Sequence, residues 1–160
     1  LRIPRRRMLR AARSSAALAA VLLLAGGCFG GSGGGSSSGV SHAQFVAQAR
    51  GICATYQKRI ALLKGATTLP QVAQQGRRAI ALEAAELKAL RALTPPDADR
   101  AAFGHLLDSL QTGIAAAQDL VAAADSGNTA KVASDAATLR AQLAATNRLA
   151  QPFQLALCAS

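Results

Sequence analysis

His105 and Asp108 stand three residues apart, a spacing that on a helix sets an imidazole beside a carboxylate, as a base and its orienting acid would be. A nucleophile would have to join them from elsewhere in the chain, and alone the two read as an exposed helix pair. His42, the other histidine, falls at the start of a helical pattern, where water reaches it. Glu83 and Glu86 repeat the three-residue spacing with two carboxylates. Metal sites in helical bundles draw Glu-x-x-His pairs from more than one helix, and the sequence holds none. There is no Cys-x-x-Cys-His for covalent haem. The glycine run at residues 29–39 is not followed by Lys-Ser/Thr, nor preceded by a strand pattern, so it is not a phosphate loop. What remains with chemistry of its own is three cysteines: Cys28, Cys53 and Cys158.

Cys28 lies where the chain changes character. Six arginines occupy residues 2–13, an apolar run of ten fills residues 16–25, and Gly26-Gly27 lead into Cys28. Basic, apolar and small, in that order, is the pattern of a secretory signal peptide. Ten apolar residues make a helix of roughly 15 Å, about half the hydrocarbon thickness, which is too short for a permanent span. Leu24-Ala25-Gly26-Gly27-Cys28 resembles a bacterial lipobox, with Ala25 where leucine is usual. The resemblance implies that residues 1–27 are removed and that Cys28 carries a covalent diacylglycerol, the one attached group expected. A plain secreted protein is the alternative. Residues 29–39 contain six glycines and four serines. So glycine-rich a chain buries too little to fold, and residues 28–40 read as an acylated cysteine and a disordered tether of roughly 18 Å reach.

The formal charge of +10 invites a nucleic-acid reading, but six of the 18 Lys and Arg precede Cys28. The remaining twelve face eight acidic residues, a balance of +4. With five aromatics and no tryptophan there is no set of stacking platforms either, so nucleic acid is not an expected partner.

From residue 41 onward four helical patterns follow one another. Phe45, Ala49, Ile52, Tyr56, Ile60 and Leu63 recur at three and four residues, with Ser41 and Gln44 at the spacing of a capping box and Gly65 as the expected C-cap. Thr68 caps a second helix whose face is Val72, Ile80, Leu87, Leu90 and Leu93. Pro95-Pro96 ends it and opens a third, lined by Phe103, Leu106, Leu107, Leu110, Ile114, Ala117 and Val121. Ser126-Gly127-Asn128 closes that one, and Asn128 caps a fourth pattern, in which Val132, Ala136, Leu139, Leu143, Thr146, Ala150 and Phe153 recur at near 3.5 spacing, with the helix expected to run to about Gln151. Breaks this short fold most simply as an all-α, antiparallel up-down-up-down four-helix bundle over residues 41–160. Its alanine-rich seams make a thin core.

If acylation takes Cys28, then Cys53 and Cys158 remain as a pair in an oxidising compartment. Antiparallel pairing sets Cys53 near the level of residue 144, and the segment PFQLALC after the fourth helix is long enough to return to it. The expectation is therefore a C-terminal segment folded back on helix one and stapled by a disulfide, worth up to about 4.7 kcal/mol on the chain-entropy model. Two buried thiols are the alternative. Together the lipobox cysteine, the Gly/Ser linker, Gly51-Ile52-Cys53, Leu93-Thr94-Pro95-Pro96 and the late cysteine resemble small alanine-rich lipoproteins of high-GC Gram-positive bacteria. That resemblance implies a location and a fold, not a reaction.

Two further features bear on ligands. Gly76 and Gly113 interrupt helices two and three at what counting from Pro95-Pro96 makes nearly one level, where the helices either touch or part. The same counting brings Arg50, Glu83, Asp108 and Asn147 near one level, a candidate inward cluster for a small cation, with solvated flanks as the bland alternative. The functional expectation is a lipid-anchored, extracytoplasmic, non-catalytic bundle at the outer face of the cell membrane. It would bind or scaffold a cell-envelope protein partner or a small ligand, with no metal site. A small-molecule carrier or sensor using an inter-helix cavity is the alternative, and a hydrolase ranks last.

Overall fold

The computed structural model describes residues 39–63 and 65–155. Among them the fold is all-helical: α1 (His42–Ile60), α2 (Leu69–Arg91), α3 (Asp97–Asp125) and α4 (Thr129–Ala150), then one 3-10 turn (Gln151–Phe153). No helix among the described residues is long and apolar enough to cross a membrane.

Local chemistry sets the starts. Ser41 Oγ accepts from Gln44 N–H while Gln44 Oε1 accepts from Ser41 N–H, a complete capping box. The Thr68 side chain accepts from Gln71 N–H, and Asn128 Oδ1 accepts from Lys131 N–H. Pro96 precedes α3 with no side-chain cap, and Asp97 and Asp99 supply negative charge to its first turn. Gly127, at φ 70°, ends α3. Its N–H bonds to Ala124 C=O and that of Asn128 to Ala123 C=O, the paired bonds of a Schellman cap.

One boundary differs from expectation. α1 ends at Ile60, not at Gly65. The N–H groups of Leu62 and Leu63 turn to Arg59 and Ile60, tightening the last turn to three-residue bonds, and Leu62 is left 82% exposed. At 1.5 Å per residue α1 is about 28 Å long and α3 about 43 Å, so α1 accompanies its neighbours for part of their length.

Pairwise contacts show the directions. Gln142 and Thr146 of α4 both reach Ser109 of α3, and Gln142 also lies against Gly113, so those helices run antiparallel. Arg77 near the start of α2 pairs with Asp125 at the end of α3 at 2.7 Å, giving the same sense. His42 meets Asp99, and Phe45 meets Phe103, so α1 and α3 are parallel, as alternate helices of an up-down bundle must be.

The apolar interior lies in two clusters. At one end Phe45 and Ala49 of α1, Leu90 of α2, Phe103 and Leu106 of α3 and Ala150 of α4 are buried together. Phe153 joins them, and the three phenylalanines meet edge to face, with centroids 4.8, 5.5 and 6.0 Å apart. At the other end Ala73, Val121 and Ala124 form a smaller cluster without α1.

The C-terminal segment does turn back, as far as it is described. The reversal comes at Gln154 rather than at Pro152, which sits inside the 3-10 turn. Gln154 adopts φ 54°, its N–H bonds to Gln151 C=O and that of Leu155 to Ala150 C=O. This brings Leu155 into the first cluster, beside Cys53. Cys158 lies outside the described residues, as do Cys28, the leader and most of the linker.

The two interrupting glycines are not level with each other. Gly76 packs on Val121, and a methyl added there would sit 2.5 Å from Val121 Cγ2, whereas Gly113 faces α4 with only Gln142 Cγ within 4 Å, at 3.9 Å. Gly76 therefore marks a close approach, whereas a methyl at Gly113 would meet Gln142 in ordinary contact. Alanine should act oppositely at the two sites. At Gly113 it gains helix propensity, up to about 1 kcal/mol, without a clash. At Gly76 the same gain is outweighed by overpacking of about 1–3 kcal/mol. Urea melts of Gly76→Ala and Gly113→Ala check this, and equal shifts of the same sign would contradict it.

Candidate functional site

Between its two apolar clusters the bundle carries charge inside. The stripe of α2 that buries Leu87 and Leu90 also contains Glu83 and Glu86: Glu83 stands four residues before Leu87, and Glu86 four before Leu90. The phase that seats the leucines thus turns both carboxylates inward. Glu86 is 3% exposed and Glu83 is half-buried.

They border a cavity of about 30 Å³. The last turn of α1 covers it with Gln57 and Ile60, and α3 contributes Leu110, Gly113 and Ile114. From α4 come Leu143 and Thr146. A water needs roughly 10–15 Å³ on this measure, so the cavity admits one or two water-sized groups, not a sugar ring.

The carboxylates find little support there. Oε1 of Glu86 has no hydrogen-bond partner among the described residues. The one hydroxyl on the wall, Thr146 Oγ1, already donates to Gln142 C=O at 3.0 Å. It meets Ser109 Oγ at 2.7 Å, and Gln142 Nε2 donates to that same serine oxygen at 3.0 Å. This clasp between α3 and α4 is satisfied within itself and leaves no proton for the glutamates. Burial pushes the carboxyl of Glu83 above its usual range. Burial first, and then the charge of Glu83, pushes that of Glu86 up to about 8. At neutral pH Glu86 therefore holds its proton.

The four residues expected to cluster are not brought together. Glu83 alone reaches the cavity. Asp108 is exposed: it stands two residues before the cavity-lining Leu110, about 200° around the helix. Arg50 is seven residues before Gln57, two turns away, and its Nη1 donates to Gln154 Oε1 at 3.5 Å. Asn147 is half-buried and follows Thr146, which faces the cavity. Counting from the turns fixed neither the register between the helices, which leaves Arg50 two turns away, nor the angle around them, which turns Asp108 outward. The residue left out was Glu86. Its signal was the three-residue spacing to Glu83 within a stripe that continues to Leu90. The rarity of buried carboxylates argued against reading it inward.

The other chemistry-bearing residues lie elsewhere. His105 is exposed, as is Asp108. His42 Nδ1 and Asp99 Oδ2 are 2.8 Å apart at the end of the bundle, a hydrogen-bonded pair whose imidazole side chain is 54% exposed, and no hydroxyl or thiol among the described residues bonds to that imidazole. Among the described residues no group of three or more His, Cys, Asp or Glu converges as metal ligands would. No protein-family model matches the chain, and no curated protein or solved structure is detectably similar to it.

Proposed function

We propose that this protein is a lipid-anchored, extracytoplasmic helical bundle with a non-catalytic binding role at the outer face of the cell membrane. The arginine-rich leader, the ten-residue apolar run and Cys28 after Gly26-Gly27 support the anchor, and the Gly/Ser linker supports a domain free to reorient on it. One observation carries the binding role: Glu86, buried without a partner for Oε1, at the wall of an interior cavity. A carboxyl so placed lowers stability, which favours a ligand-binding purpose over scaffolding alone. The carrier or sensor reading is thus preferred to capture of a cell-envelope protein partner, for which the described residues offer only scattered exposed apolar side chains.

A Cys53–Cys158 disulfide belongs to the same proposal. Cys53 is 1% exposed beside Gln154 and Leu155, and Cys158 follows Leu155 by three residues, within roughly 10 Å of chain. The expected results are incorporation of a fatty-acid probe that is abolished in Cys28→Ala, and a mass gain of two hydrogens on reduction of the denatured protein. Labelling that persists in Cys28→Ala defeats the anchor, and an unchanged mass defeats the bridge. Native mass spectrometry of the protein from its own host tests the binding role through a co-purified small molecule.

A further inference from the structure

We infer that the cavity between α1, α2, α3 and α4 is a site for a primary ammonium group, held by the carboxylates of Glu83 and Glu86, with a short aliphatic chain leading out past the apolar rim of its open side. This rests on the binding role proposed above and names its ligand class.

Three observations lead there. The first is the orphaned Oε1 of Glu86 in a nearly fully buried side chain. A buried acceptor without a donor is costly, and a second carboxylate three residues away adds repulsion once both ionise. A cation with N–H donors relieves both. The second is the lining. α1, α3 and α4 present only uncharged side chains to the cavity, so no residue of the wall supplies the missing positive charge. Apart from the two carboxylates, Ile60, Leu87, Leu110 and Ile114 make it largely apolar. Magnesium or calcium would need six or more oxygen ligands, which this wall does not offer, whereas an ammonium on an alkyl chain matches two acidic oxygens and an aliphatic surface. The third is size. About 30 Å³ accepts an –NH3⁺ and little more, and excludes a quaternary ammonium.

Binding is coupled to protons. The cation favours the ionised form of Glu86, which otherwise keeps its proton to about pH 8, so binding releases a proton. Glu83 and Glu86 are the titratable groups of the cavity wall.

The test is calorimetric titration of the full chain, in a non-ionic detergent, with n-butylamine at pH 6, 7 and 8. The expected affinity rises up to tenfold per pH unit. Glu86→Gln and Glu83→Gln should each lose at least tenfold while keeping the helical circular dichroism of the parent. Tetramethylammonium and n-butanol should bind at least tenfold more weakly than the amine. Equal amine affinity in Glu86→Gln, or calcium binding in preference to the amine, overturns the inference. If n-butanol binds as well as n-butylamine, the ammonium site fails but the cavity still binds ligands. If no probe binds, the ammonium site and the cavity-binding reading fail together.

Discussion

Glu86→Gln should stabilise the bundle by a few kcal/mol at pH 8 and change it little at pH 5. In the unfolded chain a glutamate titrates near 4.5; in the fold Glu86 titrates near 8. Below the lower value both states are protonated and there is no difference. Between the two values the native state keeps a proton that the unfolded state has released, so stability falls as pH rises, by ~1.4 kcal/mol per pH unit for one such group. Above about 8 the loss is complete, on the order of 5 kcal/mol. Burial raises Glu83 as well, which steepens the fall in the same direction. Glutamine has nearly the same shape and cannot ionise, so it should flatten most of this slope. Urea unfolding of both proteins from pH 5 to 8 measures it. Parallel pH profiles for parent and variant would show that Glu86 is not held protonated inside. A saturating amine should act in the opposite sense on the parent, stabilising it most at high pH.

Phe103→Ala should cost about 3–5 kcal/mol, a large share of what a small domain has. Phe103 is buried with an edge-to-face partner on each side, Phe45 from α1 and Phe153 from the turn after α4. Truncation removes both ring contacts and leaves a cavity where three chain segments meet. The alanine-rich layers elsewhere offer few large side chains to fill it. The C-terminal turn should loosen as well, since Phe153 would lose one of the two phenylalanines it packs on. Leu62→Ala is the control, because Leu62 is largely exposed and its loss should stay within about 0.5 kcal/mol. A loss below 1 kcal/mol for Phe103→Ala in denaturant unfolding would show that the trio is not the main support of that end.

Helix number and type could be read from residues three and four apart, and so could most of the starts, because caps work over the same short range. Ser41 with Gln44, Thr68 with Gln71 and Asn128 with Lys131 are partners three residues apart, and each forms as its spacing suggests. The return of the chain after α4 was also readable, from the reach that a Cys53–Cys158 pairing would ask of the segment PFQLALC. The turn that achieves it, a glutamine at positive φ, was not: a residue without glycine's freedom takes that conformation only when the burial on either side outweighs the strain.

The site depended on distances that no local spacing encodes. Gly76 and Gly113, level by counting, face Val121 and Gln142 respectively, because side-chain interdigitation sets the register between helices. Asp108 points away from the cavity that Glu83 lines, since a shift of two residues on a helix turns a side chain most of the way to the opposite face, and Arg50 lies two turns before Gln57, off the level of the cavity. The inward pair was already present in the sequence as Glu83 and Glu86. That they border a cavity depends on Gln57 and Ile60 of the last turn of α1 and on Gly113 of α3, residues far from them in the chain. Short-range spacing thus determined the helices and their caps. The acidic interior arose only from packing, where the phase that buries Leu87 and Leu90 carries Glu86 in with them.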